Sequence, residues 1–396
     1  MGKKKRAKQK ISFTLMPESR LDYLIIGPAY PFRGGIAETQ HQFALSLQKR
    51  GKKVELITFT HLYPKILFPG KTQYSKDSSP NHLHITQVLH AYNPMQWGKV
   101  AKYIQSKSPK AVIFRYYTPF LSIAYALIAK MLPKNLKKIG FVDNWIPHEK
   151  SCFDQKLNRL FAKRMDAFSS LSSYVAKQIQ VDFKAPIWEG FHPINNNLLP
   201  LMDQNKAKSN LNLESRKSYI LFFGLIRKYK GLELLMRAFG EAPVSNKNIM
   251  LYVAGECYEN QKKYTLLAEK LGLSDRIIFD FNFKNNTDIQ QLFSAADIVA
   301  QTYITATQSG VTPLAYHYQK PLLVSDIKGL KAPIIRDQTG LVVEKKPKAI
   351  AKGIAELLEK KKYTQYVENI KKTINQYSWD SFAEQWENFI SNQQKK

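Results

Sequence analysis

Cysteine is almost missing from this chain of 396 residues: Cys152 and Cys257 are its only two, and they form no spaced pair. That excludes a disulfide framework and a cysteine-based metal site, and makes a reducing cytoplasm the expected compartment. No apolar run reaches the length of a membrane span. The amino terminus, MGKKKRAKQK, lacks the apolar stretch of a secretory signal, and Arg6 stands where a myristoylation motif needs Ser or Thr. There is no GxxxxGK(S/T) loop, no HExxH, no GxSxG and no spaced His/Cys cluster. His82, His84 and His90 lie close in sequence and read as a surface strand or loop rather than a metal site. Acidic residues are few, 31 against 60 Lys and Arg, for a formal net charge of +29. Such a field favours nucleic acid, an acidic membrane surface or phosphorylated substrates. The excess is spread along the chain with no nucleic-acid motif, so nucleic acid is not an expected partner.

What is present is length and alternation. A chain this long exceeds what one core fills, and two domains are expected. Short apolar runs at Tyr23–Ile26, Val54–Phe59, Ala111–Phe114, Ile139–Val142 and Ala167–Ser170 alternate with helical spacing, as in a parallel doubly wound sheet. Gly34 and Gly35 precede the first helix; they are not a GxGxxG fingerprint, but paired glycines let a ligand approach the backbone. Tyr63–Ser79, with Lys65, Phe68, Lys71 and Tyr74, reads as a loop or lid. The alternation resumes at Tyr219–Phe223 and runs through Met250–Ala254, Ile277–Phe279, Ile298–Gln301 and Leu322–Val324. The expected division is a basic tail (1–20), a first domain (21–192), a linker (193–217), a second domain (218–375) and a last helix (376–396). That helix starts after Ser378 and carries Trp379, Phe382, Trp386 and Phe389 at core spacing.

The stretch Tyr219–Ala238, YILFFGLIRKYKGLELLMRA, combines a buried strand, a glycine break, Arg227, Lys228 and Lys230, and a helix start. Unpaired N–H groups and fixed cations there suit an anion, although an ordinary βα turn with solvated lysines has the same composition. Its order with LYVAGE, DRIIFDFNF, LFSAADIVAQTY and GVTPLAYHYQKPLLVSDIKGLKAPIIRDQTGLVV resembles the group 1, family 4-like retaining glycosyltransferases. In the first half, the early glycine pair and DNWIPHEKSCFDQKLNRLFAKRMDAFSSLSSYV are similar to that family too.

The resemblance implies an α/β chain of GT-B architecture: two Rossmann-like domains facing a cleft, with the last helix packing back on the first. It implies a metal-independent hexosyltransferase with no cofactor, using a UDP- or GDP-linked sugar as co-substrate. The acceptor it implies is a glycan or lipid-linked molecule, as in cell-surface polysaccharide or lipopolysaccharide synthesis. Lys230 fits the family lysine on the donor pyrophosphate. The family arginine follows the glycine directly, where this chain has Leu225, so Arg227 is its substitute. The cleft histidine falls on His148, or on Asp143 in a second alignment. Gly34, Gly35 and Asn282 would line the donor site. The chain departs from the family where two glutamates eight positions apart are expected, since Thr302–Lys320 has no acid. Thr305, Thr307, Gln308 and Ser309, with the N–H groups of Gly310 and Val311, are left to contact donor there. Lys65, Phe68 and Lys71 suit an acceptor or an anionic membrane, with the protein peripheral at the inner face. A catalytically weakened sugar-nucleotide- or glycan-binding protein is the alternative.

Overall fold

The structure, a computed structural model, describes residues 20–63, 73–75, 80, 82–146, 153–245 and 248–393. The first sheet contains β1 (Tyr23–Ile26), β2 (Val54–His61), β3 (His84–His90), β4 (Ala111–Tyr116), β5 (Lys137–Val142), β6 (Ala167–Ser170) and β7 (Ile187–Glu189). They are parallel, in the order β3-β2-β1-β4-β5-β6-β7. Between them run α1 (Gly35–Lys49), α2 (Pro94–Lys107), α3 (Ser122–Met131), α4 (Asp154–Ala162) and α5 (Ser173–Asp182). The inner strands are buried along their length because helices cover both faces, hence their unbroken apolar sequences.

The second unit opens with α6 (Gln204–Asn210) and builds its sheet from β8 (Ser218–Phe223), β9 (Ile249–Ala254), β10 (Ile277–Asp280), β11 (Ile298–Gln301), β12 (Leu322–Ser325) and β13 (Gly340–Val343). The order is β10-β9-β8-β11-β12-β13, again parallel. Its helices are α7 (Leu232–Phe239), α8 (Gln261–Lys270), α9 (Asn286–Ala295), α10 (Val311–His317), α11 (Lys328–Asp337), α12 (Pro347–Leu358) and α13 (Lys360–Thr373). The strand order reverses between β1 and β4 in one sheet and between β8 and β11 in the other. Those reversals open crevices at the strand carboxyl ends, where open α/β sheets hold ligands.

The chain closes with α14 (Trp379–Asn392), capped by Ser378, whose hydroxyl accepts from Ser381 N at 3.1 Å. Trp379, Phe382, Trp386 and Ile390 are buried with Ile25, Phe43, Ile113 and Phe141 in the core of the first sheet. The Trp386 ring meets Phe43 edge-on at 5.0 Å and Tyr23 at 5.2 Å. Residues 193–217 differ from a plain linker. Asp203 caps α6, accepting from Lys206 N at 2.9 Å, and Met202 N donates to Ser294 Oγ at 3.1 Å, so this segment packs on the second unit. The histidines near residue 84 lie on an edge strand: His84 is 3.1 Å from Glu55, and His90 stacks on His61 at 4.6 Å.

Candidate functional site

The loop after β8 is shaped by glycine. Gly224 has φ +102° and Gly231 φ +67°, conformations that L side chains rarely adopt. A Cβ at Gly231 would land on the Thr302 carbonyl oxygen, so this turn seats the loop after β11 at backbone contact. Thr302 Oγ1 donates to Gly231 O at 3.1 Å, and Ile304 N to Tyr229 O at 2.6 Å. Between the glycines, Lys228–Lys230 forms one tight helical turn.

Lys230 is only 7% exposed, and its ammonium lies 2.7 Å from where a Gly224 Cβ would stand. Among the described residues no carboxylate pairs with it. Burial lowers its pKa, with repulsion from Arg227 acting the same way and Tyr229 opposing. The Tyr303 ring lies 5.4 Å from Nζ, and burial pushes its phenol up to about 12. That phenol is therefore neutral and supplies no counter-charge. Arg227 lies 5.0 Å over the Tyr258 ring, at the mouth of the same turn. A buried cation without an acid is costly, and an anionic ligand is the usual remedy.

The loop from Thr302 to Gly310 joins the two sheets. Ser172 Oγ donates to Thr307 O at 2.8 Å, Thr307 Oγ1 to Asn144 Oδ1 at 2.6 Å, and Gln308 Nε2 to Asp143 O at 3.5 Å. Thr307 thus uses its hydroxyl to hold the loop. Ser309 Oγ accepts from Val311 N at 3.2 Å, so that N–H is occupied rather than open to an anion. Thr305 is exposed, and Gly310 borders His192, whose Nε2 lies 3.4 Å from where a Gly310 Cβ would stand.

On the opposing wall, Gly34 (φ +116°) and Gly35 start α1 with no side-chain cap and open space around both. Arg33 beside them reaches across to Glu256 at 3.8 Å and lies 5.6 Å over Phe283. Asp143 is buried, and its carboxylate accepts from Arg115 Nε at 2.6 Å and a second guanidinium nitrogen at 2.7 Å. A carboxylate engaged in this way holds Arg115 and the floor of the cleft; only its backbone oxygen reaches the Gln308 loop. Asn282 sits at the end of β10, donating to Asp280 Oδ1 at 3.0 Å. His148, Lys65, Phe68 and Lys71 lie outside the described residues.

The sequence did not point to Arg33, Asn144, Ser172 or His192. Arg33 was visible beside the glycine pair. The others act across the domain junction, which no local pattern reports. His192 Nδ1 is 3.1 Å from Pro193 O, and burial lowers its pKa, leaving Nε2 facing Gly310.

Residues 203–373 match the family described as Glycosyl transferases group 1. An uncharacterized glycosyltransferase of Methanocaldococcus jannaschii is 27% identical over 204 residues, 50% of this chain and 51% of that protein. The match thus spans about half the length of this curated relative. Sucrose-phosphate synthase from Thermosynechococcus elongatus has the same fold, with TM-score 0.74 and 15% identity over 94% of this chain and 99% of that one. Anabaena HepE, in complex with UDP and glucose, has TM-score 0.70 and 15% identity over 94% of this chain and 100% of that one. The fold is GT-B.

Proposed function

We propose that this GT-B chain, whose residues 203–373 match the group 1 glycosyl transferases, is a retaining, metal-independent hexosyltransferase that uses a nucleotide-sugar donor. The observation that carries this reading is the buried ammonium of Lys230, without a carboxylate partner among the described residues, at the strand-order reversal of the second sheet. Lys230 and Arg227 would neutralise the donor pyrophosphate. Charge that builds on the departing phosphate is stabilised best by preorganised cations in a cleft that excludes water. UDP bound to Anabaena HepE supports a nucleotide here, with UDP or GDP as the class. Its base would meet the backbone near Phe281 and Phe283. The sugar would lie against the loop that ends at Gln308 and Ser309, with His148 at a donor hydroxyl. In such a reaction the departing phosphate takes the acceptor proton on the same face, so no side chain is assigned as general base. The acceptor, a glycan or lipid-linked molecule of a cell-surface polysaccharide, would enter over the Gly34–Gly35 wall, with the protein peripheral to the membrane.

The test is a thermal-shift panel of UDP, GDP, ADP and their sugar conjugates on the wild type and on Arg227→Ala/Lys230→Ala, with and without a chelator. A ligand far above its dissociation constant raises apparent stability by ~2–4 kcal/mol. One nucleotide class should stabilise the wild type and not the double variant, whether or not the chelator is present. No shift at saturating ligand sinks the reading. A second reading rests on Thr302–Lys320 having no acid: a weakened sugar-nucleotide-binding protein of this fold. It predicts the same thermal shift with neither donor hydrolysis nor transfer above background.

A further inference from the structure

Helix α3 has a composition unusual for a surface helix. Its ten residues, SIAYALIAKM, include no acid and one formal charge, Lys130. One side is core: Ala124, Tyr125, Ile128 and Ala129 pack under the sheet. The other side carries no polar stripe. Ile123, Leu127 and Met131, four residues apart, are 46%, 40% and 42% exposed. The neighbouring α4 adds Leu160, 38% exposed, and the two helices pack together. Single exposed apolar residues are ordinary, but an aligned set spanning two helices marks an interaction surface.

Around α3 the charge is of one sign, and α4 contributes a single acid, Asp154, at its first residue. Residues 78–142 contain no Asp or Glu. Exposed lysines flank the stripe: Lys130 in the last turn of α3 and Lys134 just beyond it, Lys99 and Lys102 on α2, Lys156 on α4 and Lys163 just after it. None of these six forms an ion pair among the described residues. An apolar line ringed by long cations suits an anionic lipid surface, where the stripe enters the headgroup boundary and the ammonium groups stay with the phosphates. A second copy of the chain would bring the same cations face to face, which disfavours self-association through this side.

We propose that the α3–α4 face of the first domain docks the protein on an anionic bilayer. This deepens the reading that the acceptor is lipid-linked and rests on it for its biological meaning. The two fail separately, because vesicle binding needs no nucleotide and nucleotide-induced thermal shift needs no vesicle.

The experiment is co-sedimentation of the full chain with phosphatidylcholine vesicles, with and without phosphatidylglycerol, at physiological salt. The variants are Leu127→Asp, Met131→Asp, Lys130→Glu/Lys134→Glu and, as a control on the second domain, Leu266→Asp, which changes an apolar residue that is still more exposed, at 61%. Wild type should sediment with anionic vesicles only. Each α3 variant should lower partition about tenfold while keeping the wild-type nucleotide thermal shift, and Leu266→Asp should change nothing. Met131 stands at the helix end, so its variant keeps the test open if Leu127→Asp fails to fold. Unchanged partition in the folded α3 variants would overturn the proposal. So would loss in the lysine pair alone, which would mean that a diffuse field or an acidic protein, not an inserted stripe, is what this face attracts.

Discussion

Lys230 is held in a form that costs the folded protein stability. Its pKa is lowered by burial, so the unfolded chain binds that proton more readily, and the cost is present below the folded-state value and relieved above it. Lys230→Met should therefore raise the stability of the ligand-free protein near neutral pH by roughly 1–2 kcal/mol while abolishing the nucleotide shift. Denaturant titration with and without nucleotide reads both effects. A phosphate ligand reverses the penalty by favouring the cation, so nucleotide affinity should weaken as pH rises past the ligand-free pKa of Lys230. Gly231 is the structural counterpart. Its φ of +67° and the Thr302 carbonyl where a Cβ would go make Gly231→Ala destabilising by about 2–4 kcal/mol, most of it from the displaced carbonyl. If denaturation of Gly231→Ala shows less than about 1 kcal/mol, the loop after β11 is not seated as described.

At the level of elements, the inner strands were legible because both faces are covered and their apolar runs are unbroken. Tyr23–Ile26, Ala167–Ser170 and Ile298–Gln301 carry the same bounds in sequence and structure. The edge strands β7 and β13 were not, since short edges with partly exposed side chains leave little pattern. Helix α6, QNKAKSN, has no apolar period at all. It is held by the Asp203 cap and by Lys208, whose ammonium donates to Lys217 O at 2.8 Å and Ser215 O at 3.2 Å. The site divides similarly. Cations after a strand are a local signal, whereas the Asn144–Thr307 and Ser172–Thr307 bonds exist only once two sheets meet. Lys320, at the turn between α10 and β12, gives this level its test. Burial takes its pKa down to about 8, against attraction from Asp297, and its Nζ donates to Ser294 O at 3.1 Å. A lowered lysine pKa means stability from this group rises as pH climbs from about 8 towards the unfolded value of 10.5. Lys320→Met should stabilise the protein by roughly 1–2 kcal/mol at pH 7 and lose that advantage above about pH 10, as urea titrations at the two pH values would show.

Across the whole molecule, the chain visits its first sheet twice. It builds that sheet with residues 23–189, leaves for the second, and returns with α14 to fill the core between Ile25, Phe43 and Phe141. Ion pairs fasten the return: Glu387 to Arg50 at 2.5 Å and to Lys52 at 3.1 Å, and Lys49 to Asp380. The second sheet carries the proposed nucleotide site and completes its own core without α14. A defect in the last helix should therefore weaken the first domain and spare the second. Trp386→Ala removes a fully buried ring and should cost about 3–5 kcal/mol. Two-domain proteins need not unfold in one step, so calorimetry of this variant should resolve a first transition moved down and a second left near its wild-type temperature. Adding the nucleotide that binds should lift only the second. The competing force is the set of bonds across the cleft, Ser172 and Asn144 to Thr307 and Arg33 to Glu256, with Glu38 accepting from Asn195 at 3.2 Å and Asn197 at 3.3 Å in the connecting segment. Among the described residues these contacts are few and partly exposed, each worth about 1 kcal/mol or less, which is too little to bind two cores into one cooperative unit once one has lost a tryptophan. A single transition that moves as a whole, and that nucleotide raises as a whole, would mean that the cleft contacts outweigh that sum.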